Sequence, residues 1–377
     1  MPRILLNARY QRGGAPRPPR LSRRPFHARL PGYEGSPLVR AAKLESELGL
    51  SRIWVKDESS RLGLPAFKIL GASWAVYRTA SAMLGSEPAK WTSIDELRDC
   101  MAPLRPLRLA TATDGNHGRA VARVARLLGF DASIFMPAGT AEARIRAIEG
   151  EGAKVTVVDG SYDDAVERAK KEAGPRCLVV SDTSWEGYTD IPSGVAEGYE
   201  TIFEETDERL AEPGEQPPTH VFVQIGVGAL AVAAVNHYRG RATLIGVEPD
   251  GADCVLRSAE AGRIVSVPGP HRSIMAGLNC GMPSLIAWPV MRDGIAAFVA
   301  VGDERAKQAM RALAADGLVS GETGASGAAG LIELFNNETG RSAFESLGLS
   351  QASRVLLLST EGATDPEFYR SVVGEPA

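Results

Sequence analysis

The sequence predicts an α/β protein built of two open, mainly parallel twisted sheets flanked by helices. Three observations lead there. Short apolar runs alternate with longer helical segments from Arg108 to the carboxyl end, which implies parallel βαβ units. The loops that leave several of these runs are rich in glycine and small polar residues, as turns between a strand and a helix require. At 377 residues the chain is longer than a single core usually sustains, so two domains are expected.

In chain order, a turn-rich lead from Phe26 to Leu38 precedes a helix over 41–48 and a strand over 52–56. An apolar helix over 69–77 follows, and the polar stretch around 91–98 reads as an insertion. A first regular block then predicts strand 108–111, helix 116–128, strand 132–136, helix 141–149, strand 154–158, helix 162–173 and strand 177–180. A second block predicts helix 193–204, strand 221–224, helix 229–238, strand 243–248 and helix 252–261. The polar, proline-containing piece 212–218 separates the two blocks. Strand 297–301, helices 304–316 and 324–335 and strand 354–359 complete the chain. Open sheets of this kind place ligands beyond the carboxyl ends of their strands, so a cleft there is the expected site.

The net charge of -4 gives no electrostatic reason to expect nucleic acid, and no apolar run is long enough to span a bilayer. Cys100, Cys177, Cys254 and Cys280 are scattered without the paired spacing of a zinc site, so no metal is expected and a reducing cytoplasm is the simplest setting. The first residues carry many arginines and the prolines Pro16, Pro18, Pro19 and Pro25, with no acidic residue before Glu34. That composition predicts a flexible or surface-wrapping arm.

Lys68 sits between Phe67 and the apolar run that begins at Ile69. An amine held there loses hydration, which disfavours its charged form and makes it a nucleophile toward an aldehyde. Its own segment, taken alone, reads more simply as a snorkelling lysine at a helix start. Thr113-Asp114-Gly115-Asn116-His117-Gly118 opens a helix after a strand, where backbone amides attract an anion such as a carboxylate. Thr113 or Asp114 would serve there as a helix cap in the simpler reading. Asp182, in Ser181 to Tyr188, reads as a group facing the same cleft or as a solvated turn. Gln224-Ile225-Gly226-Val227-Gly228-Ala229-Leu230-Ala231 lets a phosphate approach the backbone. Its glycines, with Ala231 and Glu248, also fit a dinucleotide fingerprint. That keeps a nicotinamide-dependent dehydrogenase or a nucleotide-binding module open. The final strand ends with Ser359-Thr360-Glu361-Gly362, where a neutral hydroxyl could accept or donate at a ring nitrogen.

With these pieces placed, the chain from about Phe26 onward resembles the fold-type II family of pyridoxal-phosphate enzymes, the tryptophan synthase beta-like group. Phe26 to Tyr33, Lys56-Asp57-Glu58-Ser59 with Ala66 to Gly71, Thr113 to Gly118, Asp182 to Tyr188 and Ser359 to Asp365 carry the likeness. Within that family it is similar to the ammonia-lyase branch that eliminates both amino groups of 2,3-diaminopropionate. Relatives that dehydrate serine or threonine carry an arginine after the lysine and a serine before the glycine-asparagine pair. This chain has Leu70 and Asp114 there.

The resemblance implies pyridoxal 5'-phosphate as cofactor, bonded through its aldehyde to Lys68. Its phosphate would lie on Gly226, Val227, Gly228 and Ala229, its ring hydroxyl on Asn116 and its ring nitrogen on Thr360 or Ser359. Asp114 and Asp182 would be the acid/base carboxylates, and Thr113, Gly115 and His117 would join them around a small amino-acid substrate. The implied domains are a basic flexible arm over 1–25, a large domain over 26–75 and 190–377, and a small domain over 76–189, with the active site in the cleft between the last two. A homodimer is the family expectation, and Cys254 and Cys280 stand where relatives can form a disulfide. A serine or threonine dehydratase or a racemase is the alternative activity.

Overall fold

The computed structural model describes residues 3–11, 21–87, 90–212, 214–336 and 338–374. Two compact units emerge, one drawn from residues 1–21, 35–60 and 202–377, the other from 22–34 and 61–201. The strands in chain order are β1 (Arg3–Leu6), β2 (Leu38–Arg40), β3 (Arg52–Asp57), β4 (Arg108–Ala112), β5 (Asp131–Pro137), β6 (Lys154–Val158), β7 (Cys177–Val179), β8 (His220–Gln224), β9 (Thr243–Pro249), β10 (Ala297–Val301) and β11 (Arg354–Ser359).

Among the described residues, the first unit holds a seven-stranded sheet ordered β1-β10-β9-β8-β11-β3-β2. Its interior pairs are parallel and its two edge strands run antiparallel to their neighbours. β8 and β10 are buried along their whole length, as parallel strands covered on both faces must be. The helix Ser326–Glu333 packs across β8, β9 and β10. Leu331 and Ile332 thereby join Phe222, Ile245, Val247 and Val299 in one core. Each such side chain, once fully buried, stabilises the fold by about 1.5–3 kcal/mol.

Lys56 near the end of β3 and Glu58 just beyond it are polar in sequence yet fully buried. Lys56 donates from Nζ to Glu205 Oε2 and to the Ser36 carbonyl, both at 2.8 Å, and the Ser36 hydroxyl donates to Glu58 Oε1 at 2.6 Å. Charges this deep persist because each is paired and hydrogen-bonded.

The second unit holds the parallel sheet β6-β5-β4-β7. The helix Asn116–Leu128 lies on β4 and β5 and against the helix Lys68–Met83. Phe26 inserts among Trp74, Tyr77 and Trp91, with ring centroids 5.3, 4.7 and 5.8 Å away. His27 accepts at Nδ1 from the Thr201 hydroxyl (2.8 Å) and donates from Nε2 to the Leu70 carbonyl (2.9 Å).

These contacts correct several expectations. The segment from Phe26 and the helix of Lys68 belong with residues 61–201, so the division differs from 26–75 and 190–377 against 76–189. Aromatic packing and the His27 bonds hold Phe26 to that helix, whereas β3 is fixed by its pairing with β11. The flexible or surface-wrapping arm expected over 1–25 contains β1, which pairs with β10, and the start of a turn of helix at Arg24–His27; residues 1–2 and 12–20 of it lie outside the described residues. The polar stretch around 91–98 is no simple insertion, because Trp91 is buried and Ser93 caps the helix Ile94–Cys100 by accepting from the Glu96 N–H.

Candidate active site

Lys68 is the first residue of the helix Lys68–Met83, and its Nζ stands 2.7 Å from Asp182 Oδ2. The lysine is partly buried and the aspartate almost wholly so. Burial alone would strip the charge from the amine. The Asp182 carboxylate outweighs it, with smaller help from Asp114, and holds the amine above the ordinary lysine range. Burial likewise works against the charge on Asp182, but the Lys68 ammonium prevails and draws that carboxyl down to about 2. The pair is therefore ionised. Neither the snorkelling lysine nor the solvated turn describes what these two residues do.

The chain braces Asp182 from two sides. Tyr188 donates its hydroxyl proton to the Val179 carbonyl at 2.6 Å and accepts from the Ser181 N–H at 3.0 Å, while its ring stacks on Trp185. His117 Nε2 lies 2.8 Å from the Val180 carbonyl. A carbonyl only accepts, so Nε2 carries the proton and the neutral ring presents a bare lone pair at Nδ1. Burial lowers the pKa of His117 and keeps it neutral.

In the loop before His117, Thr113 Oγ1 accepts the N–H groups of Gly115 (2.9 Å) and Gly118 (3.0 Å). Thr113 thus caps the helix and its oxygen is occupied. Gly115 precedes the first helical residue, Asn116. Asp114 and Asn116 are half-buried, and Asp114 acts electrostatically on both Lys68 and His117.

Sequence reasoning missed Tyr199. Its ring packs on Phe67 with centroids 4.6 Å apart, and its hydroxyl is buried with no hydrogen-bond partner among the described residues. Burial raises its pKa, so the phenol stays protonated. No local pattern marks a tyrosine within a helix as functional; only proximity to Lys68 and Asp182 does.

In the first unit, the loop after β8 turns into the helix Ala229–Tyr238 at Gly228, whose φ is +108°. A side chain is excluded there, since a Cβ would stand 2.7 Å from Met291 Cε. Among the described residues no side chain caps this helix start, so its N–H groups suit a phosphate. Gly226, Val227, Gly228 and Ala229 therefore fit the expected cradle.

Of the two hydroxyls at the end of β11, Ser359 is bonded to Ser320 Oγ at 2.8 Å. Thr360 receives only a 3.5 Å contact from Gln224 Nε2, whose shorter bonds go to the Leu358 and Gly324 carbonyls. Thr360 is thus the less engaged of the two hydroxyls among the described residues.

Glu248 decides against a dinucleotide. Both of its oxygens accept backbone N–H groups, from Val255 and Leu256 at 2.8 Å, and it is fully buried. A ribose would find no carboxylate there. Cys254 and Cys280 are buried, and no disulfide joins them. Among the described residues no cluster of His, Cys, Asp or Glu could hold a metal ion, and no helix is long and apolar enough to cross a membrane.

The family described as pyridoxal-phosphate dependent enzyme matches residues 29–344. The chain is 38% identical over 370 residues to a diaminopropionate ammonia-lyase of Salmonella typhimurium, covering 92% of this chain and 90% of that protein. It is 39% identical over 364 residues to the Escherichia coli K12 diaminopropionate ammonia-lyase, covering 93% and 90%. Crystal structures of the Escherichia coli enzyme superpose with TM-scores of 0.89, in complex with D-serine, and 0.88, in complex with an aminoacrylate-PLP azomethine reaction intermediate. Each is 36% identical and covers 99% of this chain and 97% of that one. A lysine at a helix start beside a carboxylate, a capless helix behind a glycine loop and a match over most of the chain lead to one conclusion: the chain belongs to the pyridoxal-phosphate dependent enzymes, with the α/β architecture of fold type II.

Proposed function

We propose that this chain is a pyridoxal-phosphate-dependent carbon-nitrogen lyase that converts 2,3-diaminopropionate to pyruvate and two ammonia. The observation that carries the reading is the ion pair of Lys68 with Asp182 at 2.7 Å. It provides an amine for the cofactor's aldehyde and a buried carboxylate suited to a substrate that brings an extra ammonium. The identity to ammonia-lyases over nearly the whole chain supports the same substrate.

In this reading Lys68 holds the aldehyde carbon, Asn116 the ring hydroxyl, Thr360 the ring nitrogen, and Gly226, Val227, Gly228 and Ala229 the phosphate. When bound, the cofactor supplies the sink for the electrons left on the α-carbon. Everything else falls to the side chains. Asp182 draws in the β-ammonium and steers it as it leaves as neutral ammonia, the C–N electron pair departing with the nitrogen. Once Asp182 is engaged by substrate, Lys68 loses the partner that keeps it charged, and burial then favours the neutral amine. Lys68 Nζ or the Asp114 carboxylate takes the α-proton, according to the face that the substrate presents. Thr113, Gly115 and His117 line the substrate, and released aminoacrylate hydrolyses to pyruvate and the second ammonia. A homodimer in the cytoplasm is the setting we propose, from the family resemblance and from four cysteines scattered without paired spacing.

The test has two parts. Borohydride should bleach the violet absorbance of the purified protein and fix the cofactor to Lys68, as read by peptide mass spectrometry; a colourless protein overturns the reading. Pyruvate release should then be faster from 2,3-diaminopropionate than from serine or threonine. Faster release from serine would favour a dehydratase.

A further inference from the structure

His117 is 3% exposed, and its Nδ1 has no hydrogen-bond partner among the described residues. The Val180 carbonyl fixes the tautomer, so the unpartnered atom is an acceptor awaiting a donor. Burying such an acceptor unpaired is costly, and a site that keeps one suits a ligand that donates. The charges acting on this ring are Lys68, Asp182 and Asp114. Lys68 shows the kind of group that the neighbouring carboxylate receives, because its Nζ is an ammonium seated on Asp182. A substrate ammonium that replaces it carries three N–H donors. The Asp182 carboxylate accepts from that position at 2.7 Å, Asp114 acts on the same charge, and the buried His117 lone pair is the unpartnered acceptor that feels both.

We propose that His117 Nδ1 accepts the third hydrogen of the substrate's β-ammonium, and that this third acceptor selects an amino group over a hydroxyl at the β-carbon. A β-hydroxyl has one hydrogen to give and presents its own lone pairs to the remaining acceptors, so it is poorly matched to the same place. The inference rests on the proposed reaction and adds the residue that sets its substrate preference. It concerns a lone pair and not a charge, because the ring stays neutral and its other nitrogen is committed to Val180.

His117→Gln and His117→Asn test it. The glutamine amide can keep a donor near Val180 while removing the acceptor at the Nδ1 position. The asparagine amide keeps an acceptor near Nδ1 and gives up the Val180 bond. Dissociation constants for 2,3-diaminopropionate and D-serine are read from spectral changes of each pyridoxal-phosphate-loaded protein. The ratio favouring 2,3-diaminopropionate should fall roughly tenfold or more in His117→Gln, the loss of one hydrogen bond to a charged donor. In His117→Asn it should be better preserved, even if the fold is less stable. Equal losses for both ligands in both variants would make His117 purely structural and overturn the proposal.

A measurement on the unaltered protein guards against variants that fail to fold. With nitrogen-15 in the five histidines, the unprotonated Nδ1 of His117 should shift on adding 2,3-diaminopropionate and not on adding D-serine. No shift overturns the proposal. If neither ligand perturbs the cofactor spectrum of the unaltered protein, the failure lies instead with the proposed reaction.

Discussion

Tyr199 lies edge-on against Gly71, so closely that a Cβ at Gly71 would stand 2.5 Å from Tyr199 Cε1 and 2.7 Å from Cζ. Gly71 is almost one helical turn past Lys68. The absent side chain lets the phenol reach the neighbourhood of the lysine. Gly71→Ala should cost about 1–3 kcal/mol of stability, the range for overpacking a tight core. It should also lower pyruvate release by displacing either Tyr199 or the helix start. Urea unfolding of the apoprotein, with steady-state rates alongside, checks both; an unchanged midpoint would mean that the ring yields freely.

Tyr199→Phe removes a buried hydroxyl that has no partner among the described residues. Stability should hold or rise by up to about 1 kcal/mol, because a polar atom that gains nothing from burial is deleted. The same variant should turn over more slowly if the hydroxyl meets bound ligand. A clear loss of stability in the apoprotein would reveal a partner, such as buried water, for the hydroxyl.

Asp182→Asn should destabilise the protein in a pH-dependent way. The Asp182 carboxyl is lowered from 3.8 to about 2 on folding. Its stabilisation is therefore complete above the unfolded value and is lost as pH falls through the folded one. That shift corresponds to about 2 kcal/mol at neutral pH. The variant also leaves Lys68 without the counter-ion that sustains its charge. Denaturant curves of both apoproteins should show a gap that is widest above about pH 4 and narrows toward about pH 2. A gap constant across that range would separate Asp182 ionisation from folding.

Gly228→Ala strains a backbone at φ +108° and drives a methyl toward Met291. Pyridoxal phosphate should bind at least about tenfold more weakly, as expected when a helix start loses its geometry toward a phosphate. Absorbance titration of the apoprotein measures this without any turnover. Full retention of affinity would remove the loop from the phosphate site.

Much of the fold was legible because it rests on patterns that local chemistry enforces. Strands 154–158, 297–301 and 354–359 and helices 116–128 and 229–238 have the predicted bounds, since apolar runs and glycine stops specify them within a few residues. The division of the chain was less legible, because packing decides it. Phe26 and His27 join the lysine helix through ring contacts and side-chain bonds that span long sequence separations. Burial of Lys56 and Glu58 was equally hidden, since a charged residue enters a core only where a distant partner such as Glu205 awaits it.

The candidate site divides the same way. Lys68, the loop at Asp114 to Gly118 and the glycines at 226 and 228 announce themselves by residue type and position after strands. Asp182 did not, because a serine-aspartate turn after a strand is ordinary until Lys68 is found 2.7 Å away. Thr360 separates from Ser359 only once Ser320 is seen to occupy the latter. The role of Glu248 was misleading in sequence, where its distance from the glycine loop suited a ribose; its two bonds to backbone N–H groups explain it without a ligand.

β1 gives the beginning of the chain a protective task. Arg3 to Leu6 cover the outer edge of β10, whose side chains are wholly buried. Deleting these residues would bare a row of unpaired backbone groups on an apolar strand, a template for edge-to-edge aggregation. A shortened chain would then be lost to precipitation before its chemistry failed, so comparisons of activity belong on protein that keeps Arg3 to Leu6 intact.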